Sequence, residues 1–356
     1  MKLFSSKPRT YSKGQKIVSR ILLILLILVT AVFVGARLFF RIPVLEYYWA
    51  SDKAFKIPGL SENMVPQGLD YVASEGIDLV GGYQKDGSPS RIYRVDHDTG
   101  KNLGYVVMGD AEGNGVRPHA GGLAAHGDYL FVAGDEDASI YIYRLSDVLS
   151  GKDGETVKRA GEFSTKFGDE KVNVAWICFA EDRMIIGEFY RVPNYLTPES
   201  HFFTGPSGEE NHAVALCYRL TDTGAEDSVC GVETTPFMAY SLPGLVQGMA
   251  VYDGKLWISQ SYGTAQSSIR CYDVEGTEQT GVFGVEDGGI PVYTLDSTTQ
   301  VYEFEAPPMA EEIIFVDGKL YIMCESASSK YFFGNLTGGR WCYATDVDKL
   351  TEKSAG

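Results

Sequence analysis

The chain has 356 residues, of which 22% are charged, and a formal net charge of −16 at neutral pH. This length accommodates two or three average domains or one large all-β domain. A strongly acidic chain repels nucleic-acid phosphates, so nucleic acid is excluded as an expected partner.

The first 41 residues form a basic and apolar segment that differs from the rest of the chain. They contain eight Lys or Arg residues and no Asp or Glu, and the remaining residues carry a formal charge of −24. An apolar stretch at 17–40 approaches the ~20 residues needed to cross a bilayer. We therefore expect a basic cytoplasmic tail at 1–16, a single-pass signal-anchor at 17–40 and an exported C-terminal part. Cleavage after Val34-Gly35-Ala36, followed by secretion, is the alternative.

A unit of short strands recurs five times between residues 54 and 350, after a linker at 41–53. In each unit a tight turn, such as Asp253-Gly254 or Asp317-Gly318, leads into an aliphatic strand. The next strand carries an apolar residue followed by tyrosine in every unit, at Tyr93, Tyr143, Tyr218, Tyr272 and Tyr343. Four antiparallel strands per unit predict an all-β fold, a five-bladed β-propeller. Six blades remain open because Pro291–Leu295, within an insertion at 275–300, reads as a further strand.

The last unit lacks a fourth strand, and the segment that follows the linker supplies a candidate. Residues 54–60 read AFKIPGL and mirror AYSLPGL at 239–245, the fourth strand of another unit. We therefore expect an N-terminal strand to close the ring, which limits exposed sheet edges.

Cysteines follow the repeat. Cys217, Cys271 and Cys342 occupy the position that isoleucine fills in the other units, which favours a role in core packing. Cys217 and Cys230 flank a turn-like segment, so a disulfide across that hairpin is also open in an exported domain.

Strand parity predicts which face of the propeller is turned toward the membrane. The first face carries the loops that enter strand one and those between strands two and three. The second face carries the other connections. A closing fourth strand begins on the second face, only about twelve residues after the anchor, so we expect the first face to be membrane-distal.

On the first face the repeat register predicts a ring of polar residues around the mouth of a central channel, in a position suited to binding a small molecule, a glycan or an envelope protein. The residues just before the first strands are Gln67, His119, Asn173, Gln247 and Glu311. Those just after the second strands are Tyr83, Asp135, Glu188, Gln260 and Glu325. An insertion at 191–211, with Tyr195 and His201, is a candidate lid. Polar residues here are also expected without a ligand, because propeller channels hold water.

The units beginning Gln67-Gly68-Leu69 and Gln247-Gly248-Met249 resemble those of extracytoplasmic propellers, either the gluconolactonase/strictosidine-synthase-like or the YVTN/NHL-type families. The lactonase type holds a channel metal with acidic and amide side chains. By this resemblance Asn173 and Glu311 would bind Ca²⁺. The resemblance implies, as the alternative to ligand binding, a metal-dependent lactonase- or esterase-like hydrolase. A glycosidase using Glu188 and Glu311 is a weaker alternative.

Overall fold

The computed structural model describes residues 12–134, 139–284 and 288–351. It begins with a long helix, a short helix and a strand that joins the last sheet. These are α1 (Lys13–Arg41), α2 (Leu45–Trp49) and β1 (Ser51–Lys56).

Helix α1 begins at a capping box, in which the Ser12 hydroxyl accepts from the Gln15 amide and the Gln15 side chain accepts from the Ser12 amide. It extends the predicted anchor at both ends. Its length of 29 residues and its apolar sequence suffice to cross a membrane, a property that signal sequences share. An N-terminal apolar helix is thus present, as predicted.

The rest of the described chain is dominated by five sheets, each built on four antiparallel strands. The first two units are β2 (Met64–Val72), β3 (Ile77–Gln84), β4 (Arg91–Asp96) and β5 (Asn102–Met108), then β6 (Leu123–His126), β7 (Tyr129–Ala133), β8 (Ser139–Arg144), α3 (Leu145–Ser150), β9 (Thr156–Val157) and β10 (Arg159–Ser164). The short strand β9 pairs with β5, the edge of the first sheet.

The third unit is enlarged by insertions on both sides of its main strands. Its elements are β11 (Lys166–Phe167), β12 (Glu170–Lys171), β13 (Trp176–Ala180), β14 (Arg183–Gly187), a 3₁₀ turn (Glu199–His201), β15 (Phe203–Thr204), β16 (Glu210–Asn211), β17 (Ala213–Leu220), β18 (Ser228–Val229) and β19 (Val232–Leu242).

The fourth and fifth units complete the described chain. Their elements are β20 (Val246–Tyr252), β21 (Lys255–Gln260), β22 (Ser267–Tyr272), β23 (Gly281–Phe283), β24 (Ile290–Thr294), β25 (Gln300–Ala306), β26 (Ala310–Val316), β27 (Lys319–Cys324), α4 (Gly334–Thr337), β28 (Trp341–Thr345) and α5 (Asp348–Thr351).

The innermost strands close a ring. Strands β2, β6, β13, β20 and β26 each contact two others, in that cyclic order. Five hydrophobic cores lie between neighbouring sheets, and the repeated tyrosines are buried in them. The all-β, propeller-like architecture predicted from the repeats is therefore confirmed.

Glycines allow neighbouring units to approach closely at the inner strands. A Cβ on Gly122 would lie 2.4 Å from the backbone nitrogen of Ile177 in the next unit. A Cβ on Gly248 would lie 2.8 Å from the Cα of Glu312. These positions therefore exclude a side chain, which explains the glycine that opens several repeats in the sequence.

Strand β1 forms the outer edge of the fifth sheet, antiparallel to β28, with Ser51 opposite Thr345 and Lys56 opposite Trp341. The predicted closing strand is therefore present, beginning three residues before the predicted boundary. The segment that suggested a sixth blade forms β24. This strand pairs in parallel with β19 and belongs to the edge of the third sheet.

The cysteine alternatives are also resolved. Cys217 and Cys230 are both free, so the disulfide considered for this hairpin is wrong. Cys217 lies opposite Met238 in the β17–β19 ladder, so it does not face Cys230. Cys217, Cys271 and Cys342 are all fully buried, as predicted for core residues.

Candidate functional site

A cavity of about 810 Å³ lies at the mouth of the central channel on the first face. The first strands and the loops after the second strands converge there, as strand parity predicts. Eight of the ten residues predicted for this site line the cavity. They are Gln67, Tyr83, His119, Asn173, Glu188, Gln247, Glu311 and Glu325.

The other two predicted residues are placed differently. Gln260 is not among the lining residues, and its side-chain nitrogen donates to the carbonyl oxygen of Gly244 at 2.6 Å. This hydrogen bond holds the loop between β19 and β20. Asp135 lies outside the described residues.

Two carboxyl groups, those of Glu311 and Glu325, line the cavity. Glu311 is 2% exposed, and burial, then the charges of Glu325 and Glu312, raise its pKa well above the usual range. Glu325 accepts hydrogen bonds from the Gln67 amide at 2.9 Å and from the Tyr331 hydroxyl. Burial nevertheless raises the pKa of Glu325. Burial therefore favours the protonated form of Glu311, which can donate a hydrogen bond into the cavity.

A cation faces these acids from the loop between β27 and β28, residues 325–340. The Lys330 ammonium donates to the Tyr83 hydroxyl and lies 5.0 Å from the Tyr83 ring centroid. The Tyr83 ring in turn stacks on His119, with 4.7 Å between centroids. Desolvation, and secondarily Lys330, lower the pKa of His119, so its imidazole is neutral at pH 7. Lys330 and Tyr331 were missed by the sequence analysis because they lie outside the repeat register.

Glu188 points toward the candidate lid. Its carboxylate lies 2.8 Å from Nδ1 of His201 and accepts the Val214 amide at 3.2 Å. The other imidazole nitrogen lies 3.2 Å from Glu170. Burial alone lowers the pKa of His201, but the hydrogen bond and charge of Glu188, then Glu170, outweigh it and raise the pKa.

The insertion at 191–211 contributes to the cavity wall, although its two singled-out residues differ in placement. Tyr195 lines the cavity and is 53% exposed. His201 was expected on an accessible lid and is instead fully buried, clamped between the two carboxylates. The hydrogen bonds of His201 therefore fasten the insertion to the sheet.

A second acid pair lies deeper in the channel. Glu312 is 1% exposed, and its carboxyl group faces the backbone amide of Met249. Burial, then the charge of Asp70, raise its pKa well above the usual range. The Asp70 carboxylate accepts the Ala125 amide at 2.6 Å, and burial raises its pKa to about 7. Sequence analysis did not identify this pair.

The residues expected to bind Ca²⁺ fit that ion poorly. Asn173 and Glu311 both line the cavity, but Ca²⁺ requires six to eight oxygen ligands and usually several carboxylates. No cluster of three or more His, Cys, Asp or Glu placed to hold a metal occurs within residues 12–134, 139–284 and 288–351.

The first face also receives the end of the apolar helix. The Arg41 guanidinium donates to the Leu336 carbonyl at 3.4 Å, and the Tyr48 hydroxyl donates to the Thr337 carbonyl at 2.7 Å. The Gln266 amide donates to the Phe40 carbonyl at 3.2 Å. Leu336, Thr337 and Gln266 all belong to loops between second and third strands.

The expectation that the anchor meets the second face is therefore wrong. The linker does not join the helix to β1 on one face. It runs between the fourth and fifth sheets, where Tyr47 packs against Phe304 of β25 and Tyr343 of β28, and it reaches Ser51 on the second face. The cavity and the helix end share the first face.

Comparisons with known proteins identify no family for this chain. No family model matches the chain, and no curated protein matches it. Among solved structures, glutaminyl cyclase of Myxococcus xanthus is similar at 12% identity and a TM-score of 0.35, over 80% of this chain and 89% of that one. The Cps50 (Swd1) β-propeller domain of Myceliophteria thermophila is similar at 9% identity and a TM-score of 0.36, over 83% and 99%. A nidogen/laminin complex is similar at 11% identity and a TM-score of 0.38, over 74% and 73%.

Proposed function

We propose that the chain is a membrane-anchored, propeller-like binding protein that holds a small organic molecule at the mouth of its central channel. The observation that carries this proposal is the cavity itself. Its volume of about 810 Å³ lies within the range of small-molecule sites, which combine apolar walls with a few convergent polar groups.

The lining chemistry favours a ligand rich in hydroxyl or carbonyl groups. Neutral hydrogen-bonding groups converge from three units, namely the amides of Asn173 and Gln247 and the carboxyl group of Glu311. The rings of Tyr83 and Tyr195 offer faces for stacking. A glycan unit or another polyhydroxylated molecule satisfies both features, because its hydroxyl groups bond to amides while its ring faces pack on aromatics.

Native mass spectrometry of the full chain, extracted from its own membrane, tests this proposal. We expect a bound mass on the unmodified protein that is lost from Gln247→Ala. Gln260→Ala is the matched control, because that amide does not line the cavity. A protein that carries no bound mass, and whose melting temperature is unmoved by polyols, monosaccharides and disaccharides, contradicts the proposal.

A hydrolase is the second candidate, favoured by the two carboxyl groups of Glu311 and Glu325 that line the cavity. Two acids whose pKa values are raised at one site suit general acid–base chemistry. Glu188 is less suited to the glycosidase alternative because His201 and Val214 occupy its carboxylate. Turnover of chromogenic esters or lactones that disappears in Glu325→Gln supports the hydrolase, and its loss with EDTA supports a metal-dependent one. If no turnover is measured, the hydrolase candidate is contradicted and the binding proposal remains.

We also propose that the propeller-like domain lies outside the cytoplasm, since positive charge precedes the apolar helix. Glu278 is exposed, so Glu278→Cys should react with a membrane-impermeant maleimide on intact cells. Ser12→Cys should react only after permeabilisation. The unmodified chain is the background control, because its cysteines are buried apart from the half-buried Cys230. The opposite labelling pattern contradicts this orientation.

A further inference from the structure

The first face carries a group of exposed apolar side chains on either side of the cavity. We call these five residues the rim: Val192, Tyr195, Leu196, Phe332 and Phe333. Their exposed fractions run from 49% to 93%, with Phe332 the highest. Exposed apolar groups of this size and clustering mark surfaces that meet a partner or a membrane.

Within the five repeated units, the most exposed large apolar side chains lie on this face, and outside those units Trp49 of α2 is also exposed, at 71%. Among the described residues that follow α2, every large apolar side chain with an exposed fraction of 49% or more belongs to the rim. On the second face the exposed counterparts have exposed fractions of 37% to 42%, and they are Leu103, Tyr252, Val301 and Tyr302. The asymmetry therefore distinguishes the two faces of the same ring.

The rim is continuous with the docking site of the anchor. Phe332 and Phe333 lie directly between Tyr331, which lines the cavity, and α4, which contacts the end of α1. The hydrogen bonds of Arg41 and Tyr48 hold α1 to this loop. The apolar helix and the residues that follow it therefore contact directly the loop that carries these phenylalanines.

For a helix that crosses the bilayer as proposed above, the position of its end sets the level of the bilayer. The apolar sequence of α1 is interrupted by Arg37 and ends at Phe40. Both residues lie near the end of the helix that contacts the propeller-like ring. A helix of 29 residues is about 43 Å long, enough to span a hydrocarbon core of ~30 Å with its last turn at the boundary. The boundary of the bilayer then coincides with the first face.

We infer that the rim inserts into the interfacial layer of the membrane that α1 crosses, so that the cavity opens at the membrane surface. Aromatic side chains are enriched at that level of a bilayer. Although the domain is acidic overall, Arg37, Arg41, Arg191 and Lys330 lie on or beside this face and favour phospholipid headgroups. This inference concerns the surface and holds whether or not the cavity binds a ligand.

An environment-sensitive fluorophore tests the inference on the full chain. NBD is attached to Phe332→Cys, and in a second preparation to Leu196→Cys, both in a Cys230→Ser background. The protein is reconstituted in vesicles of phosphatidylethanolamine and phosphatidylglycerol, with or without nitroxide-labelled phosphatidylcholine. Leu103→Cys is the matched control on the opposite face.

We expect blue-shifted emission and loss of fluorescence to the nitroxide lipids at positions 332 and 196, and neither effect at 103. Water-like emission at both rim positions, unchanged by nitroxide lipids, overturns the inference. A blue shift that depends on protein density and is not quenched by these lipids also overturns it, because a second copy of the chain would then cover the rim. The measurement uses no cavity ligand, so its failure is distinct from failure of the binding proposal.

Discussion

Nδ1 of His201 lies 2.8 Å from the carboxylate of Glu188, and both side chains are almost completely withdrawn from solvent. This contact joins the insertion at 191–211 to the third sheet. A buried histidine between two carboxylates is stable as the imidazolium, because each ring nitrogen then donates to a negative partner.

The raised pKa of His201 makes the stability of the insertion depend on pH. Its contribution is complete below the unfolded-state value of about 6.5 and is lost as the pH rises through the higher folded-state value. We expect His201→Ala to cost roughly 3 kcal/mol in acid and less in alkali. Urea unfolding of both proteins across this pH range measures the difference, and a constant difference would contradict the assignment.

The two carboxylates should contribute unequally to this contact. The Glu188 side chain is 2% exposed, whereas the Glu170 side chain is 22% exposed and lies 3.2 Å from the imidazole. Solvent weakens the outer pair, so Glu188→Gln should lower the free energy of unfolding by more than Glu170→Gln does. Equal losses in matched denaturation experiments would show that the outer pair is not screened.

Glu311, which lines the cavity, should make the stability of the fold depend on pH. Its raised folded-state pKa means that the folded protein binds a proton more tightly than the unfolded chain does. The carboxyl group therefore destabilises the fold increasingly as the pH rises above its unfolded-state pKa of about 4.3. Glu311→Gln should leave stability nearly unchanged in acid and increase it at neutral and alkaline pH. A variant less stable than the parent at alkaline pH would indicate an ionised, well-paired Glu311.

The close approach of the inner strands predicts a sensitive glycine. Gly122→Ala places a methyl group against the backbone of Ile177, and we expect a loss of roughly 2–4 kcal/mol. Gly161→Ala is the matched control, because its Cβ would meet no atom closer than 3.9 Å and its backbone conformation suits any residue. Thermal unfolding of the pair measures the contrast, which disappears if the ring can widen to admit the methyl group.

Repeat register allowed much of the cavity to be predicted from sequence. Polar residues such as Gln67 and Gln247 precede equivalent strands, and equivalent strands converge at one channel mouth. Lys330 was missed because it lies five residues beyond Glu325, in a part of the loop between β27 and β28 that the repeat register does not cover. The burial of His201 depends on Glu170, which lies in another insertion, and no local pattern links the two residues.

Strand parity could not predict which face of the ring the apolar helix contacts. Parity correctly placed the start of β1 on the second face, since Ser51 pairs with Thr345. It could not show that the linker passes from the first face to the second face before β1 begins. That path depends on where Tyr47 and Tyr48 find tertiary partners, Phe304 and the Thr337 carbonyl, far away in the chain.

The pairing of β1 with β28 has a consequence for the order of assembly. Ser51 emerges from the ribosome long before its partner Thr345, and loop closure over such a separation is slow. The first strand to be synthesised must therefore wait unpaired while the other units fold. Until β28 arrives, its open edge is a place where chaperones can bind or another chain can add a strand.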